Sequence, residues 1–460
     1  MTTLRAQSGA AAVRTLIVVA LVALLGLIVY LARAVSGGPM DFAERGTAPA
    51  AGYSGADPTG VPAELAGASL TARGEYLTRA ADCEACHTSN GGQRFAGGRA
   101  FVLPIGTLFS PNITPDADTG IGSWSDADFL RAVHRGIARD GTRLYPAFPY
   151  ASYTYLSDND VAAIKAYLFS LPPVRAVAPA NTLAFPFNQR WLMALWSSMF
   201  NPDRRFSANA AMSPQWNRGA YVAEALEHCG ECHTPRNLLQ ALNHRKKYAG
   251  GTIDGWHAYN ITGDKESGVG AWSDSELAQY LSAGHASGHG TAAGPMAEAV
   301  DVSLHYLTQA DIDALAAYVR SVPAIASSDV PARLAGPAPA SHSQGVTAGI
   351  DPRGKEIFEG ACVGCHGWTG VSPLTPYATL IGARAVNDPS AMNVVQVLLD
   401  GERRGNDPAD PFMPSFQGAY SDTEIAAVAN YVVARFGSQP SKVTPEQVAA
   451  RRQQARSSGT

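Results

Sequence analysis

The chain has 460 residues, a formal net charge of −4 and a pI near 6.3, with 46% hydrophobic and only 16% charged residues. That hydrophobic share excludes a disordered chain, the charge excludes nucleic acid as a partner, and the length calls for about three domains rather than one core.

The first predicted element is an uncharged apolar run, Thr15 to Ala32, flanked by Arg14 and Arg33 with Arg5 further upstream. About 18 apolar residues come close to spanning a bilayer as a helix, whereas the core of a cleaved signal is usually about 7–15. The length favours a retained transmembrane anchor over residues 1–34. A cleaved signal stands as the alternative, because Ala32-Arg33-Ala34 offers a cleavage pattern. In either case the arginines ahead of the run put the body of the chain on the far side of a bacterial inner membrane, the periplasmic side. Residues 35–70, rich in Gly, Ala and Pro, read as a flexible tether.

Three similar segments follow, at 71–175, 211–324 and 349–437, separated by linkers at 176–210 and 325–348 and followed by a polar tail, 438–460, expected to be mobile or peripheral. Each opens with an Arg-Gly pair: Arg73-Gly74, Arg218-Gly219 and Arg353-Gly354. Asn112-Ile113-Thr114 recurs as Asn260-Ile261-Thr262, and GIGSWSD at 120–126 recurs as GVGAWSD at 268–274, both at the same offset. Each segment closes on an expected capping box: Ser157…Asp160, Thr308…Asp311 and Ser421…Glu424. Tyr167, Tyr318 and Tyr431 follow about two turns later, on the apolar stripe of each closing helix. The expected fold is all-α: three tandem helical units behind an N-terminal transmembrane helix.

All six cysteines fall into three Cys-x-x-Cys-His motifs: Cys83, Cys86 and His87; Cys229, Cys232 and His233; Cys362, Cys365 and His366. Two residues between the thiols let both reach one edge of a haem, and the adjacent histidine falls under the iron. This is the c-type attachment pattern; it implies three covalently bound haems c and makes the three all-α units class I-like cytochrome c domains. Zinc usually takes two coupled cysteine pairs or spaced histidines, and a thioredoxin-like pair would not carry histidine three times. For the sixth ligand, Met413 before Pro414 and Met296 after Pro295 stand at matching places in the last two segments. The first segment has Phe148-Pro149 there. His134, on one helix face with Leu130 and Ile137, is the substitute, with distant Met193 or Met199 and an open position as alternatives. Trp124, Trp272, Tyr145 and Tyr150 are expected to pack on the porphyrins. The stretch FPFNQRWLMALWSSMF at 185–200 is too interrupted for a second span and reads as a linker docking on the domains, or as a contact with membrane or partner.

The segments LYPAFPY (144–150), HCGECHTPRN (228–237), GPMAEAV (294–300), HYLTQADI (305–312) and FMPSF (412–416) resemble the tri-haem cytochrome subunits of periplasmic membrane-bound dehydrogenases of acetic acid bacteria and their relatives. The resemblance covers nearly all of residues 70–437. It implies a subunit that is no enzyme by itself and relays electrons from a catalytic subunit of molybdenum, flavin or quinoprotein type to ubiquinone or a terminal oxidase. The anchor with the Phe-Pro variant resembles cytochromes serving molybdenum aldehyde oxidoreductases, while the GVGAWSD repeat is closer to those serving gluconate or sorbitol dehydrogenases. The balance leans to the aldehyde type, with gluconate, sorbitol and alcohol dehydrogenases next. The competing class is a self-contained peroxidase-like enzyme using an open first haem.

Overall fold

The computed structural model describes residues 3–35, 55–327, 351–404 and 412–458. Most of the 35–70 tether and the 325–348 linker lie outside the described residues. The apolar run sits in one helix, Thr3–Val35. Its part Thr15–Val35 has a mean hydropathy of 2.9 over its most apolar window and packs against almost nothing. At 1.5 Å per residue those 21 residues reach about 31 Å, the thickness of a bilayer core.

The rest is helical, with short two-stranded hairpins such as Ala100–Leu103 against Gly106–Phe109. One helix order recurs three times. The opening helices are Leu70–Ala80, Pro214–Tyr221 and Pro352–Ile357, and each leads into a single-turn helix ending in the motif histidine. The middle helices are Asp126–Arg135, Asp274–Ala283 and Met392–Asp400, and the closing helices Asp158–Ser170, Gln309–Arg320 and Asp422–Phe436.

In each unit the opening helix crosses the closing helix at the glycine of the Arg-Gly pair. A Cβ on Gly74, Gly219 or Gly354 would overlap the backbone carbonyl of Ala163, Ala314 or Ala427, and would lie 3.0, 2.8 or 2.9 Å from the Cβ of Tyr167, Tyr318 or Tyr431. The two repeated residue types are therefore one crossing point. Only a residue without a side chain permits that approach.

The closing-helix caps differ from the expectation. Ser421 and Glu424 form the full reciprocal box. Ser157 and Thr308 cap with their hydroxyls, but the carboxylates of Asp160 and Asp311 turn away to bond a different unit. Two further full boxes lie inside the repeated Trp-Ser-Asp motif, Ser125 with Asp128 and Ser273 with Glu276.

Hydrophobic packing divides the molecule in two rather than three. One continuous core runs from Tyr76 to Val322 and joins the first two units. A second, from Phe358 to Val448, belongs to the third. The tail, expected to be mobile or peripheral, is a helix, Pro445–Ser458, docked on the third unit, with Val448 fully buried and Arg452 bonded to Asp422 at 2.7 Å. Its polar composition concealed one apolar contact and one ion pair. The described end of the tether also docks, since Arg218 donates to the carbonyls of Pro58 and Gly60. The 176–210 linker contains the helix Leu192–Phe200, fixed to the body by Trp196 Nε1 donating to the Leu239 carbonyl at 2.8 Å.

Candidate functional site: the Cys-x-x-Cys-His turns

Each motif histidine is held in the same way. His87 Nδ1 lies 2.8 Å from the Pro111 carbonyl, His233 Nδ1 2.6 Å from that of Tyr259, and His366 Nδ1 2.6 Å from that of Ala378. A carbonyl only accepts, so Nδ1 carries the proton and Nε2 keeps its lone pair for a metal. Burial lowers the pKa of all three rings, which favours the neutral, ligand-competent form.

The cysteines fit thioether attachment better than thiol chemistry. Burial pushes the thiols of Cys86 and Cys232 up to about 12 and Cys362 up to about 11. A disulfide-exchange pair needs the opposite, a depressed thiolate. Haem fits these residues: two sulfurs on one helical turn and an imidazole with a single oriented lone pair. When bound, it supplies a one-electron couple that no side chain here offers.

In the first two units the acceptor carbonyl immediately precedes the repeated Asn-Ile-Thr. Asn112 Nδ2 donates to the Val174 carbonyl and Asn112 Oδ1 accepts from Thr114 N; Asn260 does the same with Ile325 and Thr262. In those two units the repeated tripeptide therefore fixes the loop that orients the motif histidine. The sequence carried this signal, but not the partner it serves.

The candidate sixth ligands are placed as follows. Met296 stands in the first turn of the helix Pro295–Val302 and packs on the joint core. Met413 lies in a strand pair opposite Glu402 and packs on the third core. Phe148 packs on the joint core with its ring 5.5 Å from Tyr153. His134 is buried, and neither ring nitrogen has a hydrogen-bond partner; Nδ1 is 3.7 Å from Asp158. Desolvation lowers its pKa to about 4, so the ring is neutral.

The expected porphyrin-packing aromatics have protein partners. Trp272 stacks on His289 at 3.7 Å, Tyr150 meets Trp196 edge-on, and Tyr145 carries Arg190 over its face. Trp124 packs against the joint core.

The first two attachment turns are cross-packed, which sequence reasoning missed. The Met296 helix touches the Cys83–His87 turn, where Arg99 bonds both the Ala85 carbonyl and Glu298. In return, Ser152 Oγ, just past Phe148-Pro149, donates to Glu231 in the second turn at 2.8 Å, and Tyr153 stands edge-on to His228. Asp82 and Glu227, just ahead of the two turns in the chain, are held well above the usual carboxylate range by burial.

A protein-family model described as cytochrome c matches residues 71–172 and 352–435. The fructose dehydrogenase cytochrome subunit of Gluconobacter japonicus is 38% identical over 395 residues, spanning 82% of this chain and 81% of that protein. The gluconate 2-dehydrogenase cytochrome c subunit of Pantoea cypripedii is 37% identical over 401 residues, 84% of this chain and 90% of that protein. The chain belongs to the family of cytochrome c subunits of membrane-bound dehydrogenases. This cytochrome subunit carries covalently bound haem c, and its function is electron transfer for a dehydrogenase complex rather than peroxidase chemistry. A nicotinate dehydrogenase subunit of Pseudomonas putida is 41% identical over 376 residues, 80% of this chain, which spans only 30% of that longer protein.

Proposed function

We propose that this cytochrome holds three haems c, at Cys83/Cys86, Cys229/Cys232 and Cys362/Cys365, and relays electrons from a catalytic dehydrogenase subunit to ubiquinone. His87, His233 and His366 are the proximal ligands. Met296 and Met413 are the sixth ligands of the second and third haems, and His134 that of the first. The observation that carries the reading is the carbonyl bond at Nδ1 of all three histidines, which leaves three equivalent Nε2 atoms for iron. For His134, a buried imidazole without a well-formed hydrogen bond supports the reading, since coordination would satisfy one of its two nitrogens.

The three units form the domains, with Thr15–Val35 as a membrane anchor and the haem units on the periplasmic side. The arginines flanking the apolar run support that orientation. The relatives serve nicotinate, fructose, gluconate and alcohol dehydrogenases by name. An aldehyde dehydrogenase of the molybdenum type, favoured by the sequence resemblance, is not among those names. We therefore assign the partner as a dehydrogenase catalytic subunit and leave its substrate to experiment. Purification of the tagged protein from membranes, with identification of the co-purifying subunit and its cofactor, tests this reading. Recovery of the cytochrome alone, turning over peroxide by itself, would overturn it.

A further inference from the structure

Met296 and Met413 belong to different units, yet one short strand of the third unit serves both. Glu402 and Arg403 pair with Phe412 and Met413, and Glu402 stands opposite Met413 itself. Successive side chains along a strand point to opposite faces, so Glu402 and Arg404 turn one way and Arg403 the other. Arg403 lies over the Phe412 ring of its own unit. Glu402 and Arg404 leave their unit and reach the helix Pro295–Val302, one at each end. Glu402 Oε2 accepts from Gly294 N at 2.6 Å, two positions ahead of Met296. Arg404 pairs with Asp301 at 2.8 Å, one residue before the helix ends. Its guanidinium also donates at 3.3 Å to the carbonyl of Ala283, the last residue of the neighbouring helix Asp274–Ala283.

Docking of the second unit on the third has other supports. Asn393 exchanges two hydrogen bonds with the backbone of His257, at 2.7 and 3.0 Å. His257 Nδ1 lies 3.2 Å from Asp388 Oδ2, and Arg384 reaches the Glu266 and Ser267 carbonyls. None of these bonds touches the Met296 helix. Those of Glu402 and Arg404 go to that helix and to the helix end beside it. A buried ion pair adds little net stability over apolar packing and serves better to fix a register. Arg404 is buried and Glu402 half-buried, so their contribution lies in where they hold the helix.

We propose that Glu402 and Arg404 are positioning residues for the relay, a clamp that sets the Met296 helix in register with the Met413 strand and so fixes the separation across which the second and third sites exchange an electron. This rests on the relay reading and on Met296 and Met413 as sixth ligands. One electron leaves one site and enters the other, so one is oxidised as the other is reduced, and no bond is made or broken. Electron exchange falls steeply with distance, and a helix freed at either end samples longer separations.

The test uses the haem-loaded cytochrome in its complex, with Glu402→Ala, Arg404→Ala, Glu402→Gln and Arg384→Ala compared with the parent. Hydrogen–deuterium exchange across residues 294–302 reads the helix. Electron redistribution after pulse-radiolytic reduction reads the transfer, and the far-red absorption band of methionine-ligated ferric haem reads ligation. Glu402→Ala and Arg404→Ala should each speed amide exchange there about tenfold or more, as loss of a charge-assisted hydrogen bond implies. Both should slow redistribution between the two sites at least about tenfold, as misplacement of reacting groups does elsewhere. Glu402→Gln keeps an oxygen to accept from Gly294 and should stay within about twofold of the parent, as should Arg384→Ala. Parent-like redistribution in both alanine variants would overturn the clamp. So would equal slowing by Arg384→Ala, because docking alone would then set the rate. A parent without the methionine band would overturn the ligand reading beneath it instead.

Discussion

Tyr76 Oη donates to Asp311 Oδ2 at 2.6 Å, and Tyr221 Oη returns the bond to Asp160. Tyr76 comes from the opening helix of the first unit and Asp311 from the closing helix of the second; the reverse bond exchanges those roles. Each phenol oxygen also accepts from the backbone of the facing cap, Thr308 N and Ser157 N at 3.2 Å. The first two units are therefore joined about a local pseudo-twofold relationship, and the exchange lies within their shared core. This explains why Asp160 and Asp311 give up half of their capping boxes: one bond to a helix end is traded for a buried bond between units.

Loss of either phenol leaves a buried carboxylate short of one donor, which costs about 1–3 kcal/mol. Tyr76→Phe and Tyr221→Phe should each lower the unfolding midpoint of the first two units together, because they share one core, and leave that of the third unit unchanged. Urea unfolding of the full chain, followed in the Soret band and by tryptophan fluorescence, checks this. A midpoint that does not move in either variant contradicts the exchange.

The glycine crossings give a sharper contrast. Gly74→Ala, Gly219→Ala or Gly354→Ala forces a methyl into a backbone carbonyl and should cost at least about 3 kcal/mol, by separating two packed helices. Gly360→Ala, which has open space around its Cβ, should change stability by less than about 1 kcal/mol. Yields of haem-loaded protein from matched cultures, with thermal melts of whatever folds, measure the difference.

The capping boxes carry a pH signature. Hydrogen bonds from the Ser273 backbone and hydroxyl, with a further contribution from His289, hold Glu276 down at about 2 against an ordinary value of 4.5. A depressed carboxyl stabilises the fold above its unfolded pKa, and that stability is lost as pH falls from about 4.5 to 2. Glu276→Gln should therefore flatten the acid limb of the stability curve in that window and leave it unchanged from pH 6 to 8. A parallel offset at every pH would contradict the assignment.

At the first haem position, Phe148→Met should raise one midpoint potential, because a thioether ligand favours the reduced iron, and His134→Ala should turn one haem high spin. Potentiometric titration reads the first and low-temperature electron paramagnetic resonance the second. No change in either variant contradicts the assignment of His134.

Much of this was legible in the sequence, though unevenly. The three Cys-x-x-Cys-His motifs and the 148-residue offset between Asn112 and Asn260 displayed the repeat directly, because local chemistry writes itself into spacing. The Arg-Gly pairs and the closing tyrosines were visible as repeats, but their contact joins residues about ninety apart and has no local signature. The same holds for Tyr76 with Asp311. Asp160 read as a cap because the Ser-x-x-Asp pattern is local, whereas its second partner is tertiary. The docked helix of the tail leaves no such pattern, since Val448 and Arg452 alone supply the docking within an otherwise polar helix. Cross-packing of the first two attachment turns depends on a surface formed only when two units meet, and no single segment shows it.

The most direct test of the relay is the number of haems. Intact mass spectrometry of the purified, denatured chain counts covalent adducts, and three are predicted, falling to two when Cys229 and Cys232 are both replaced by alanine. Two adducts on the unaltered chain, with the middle motif bare, would contradict the account.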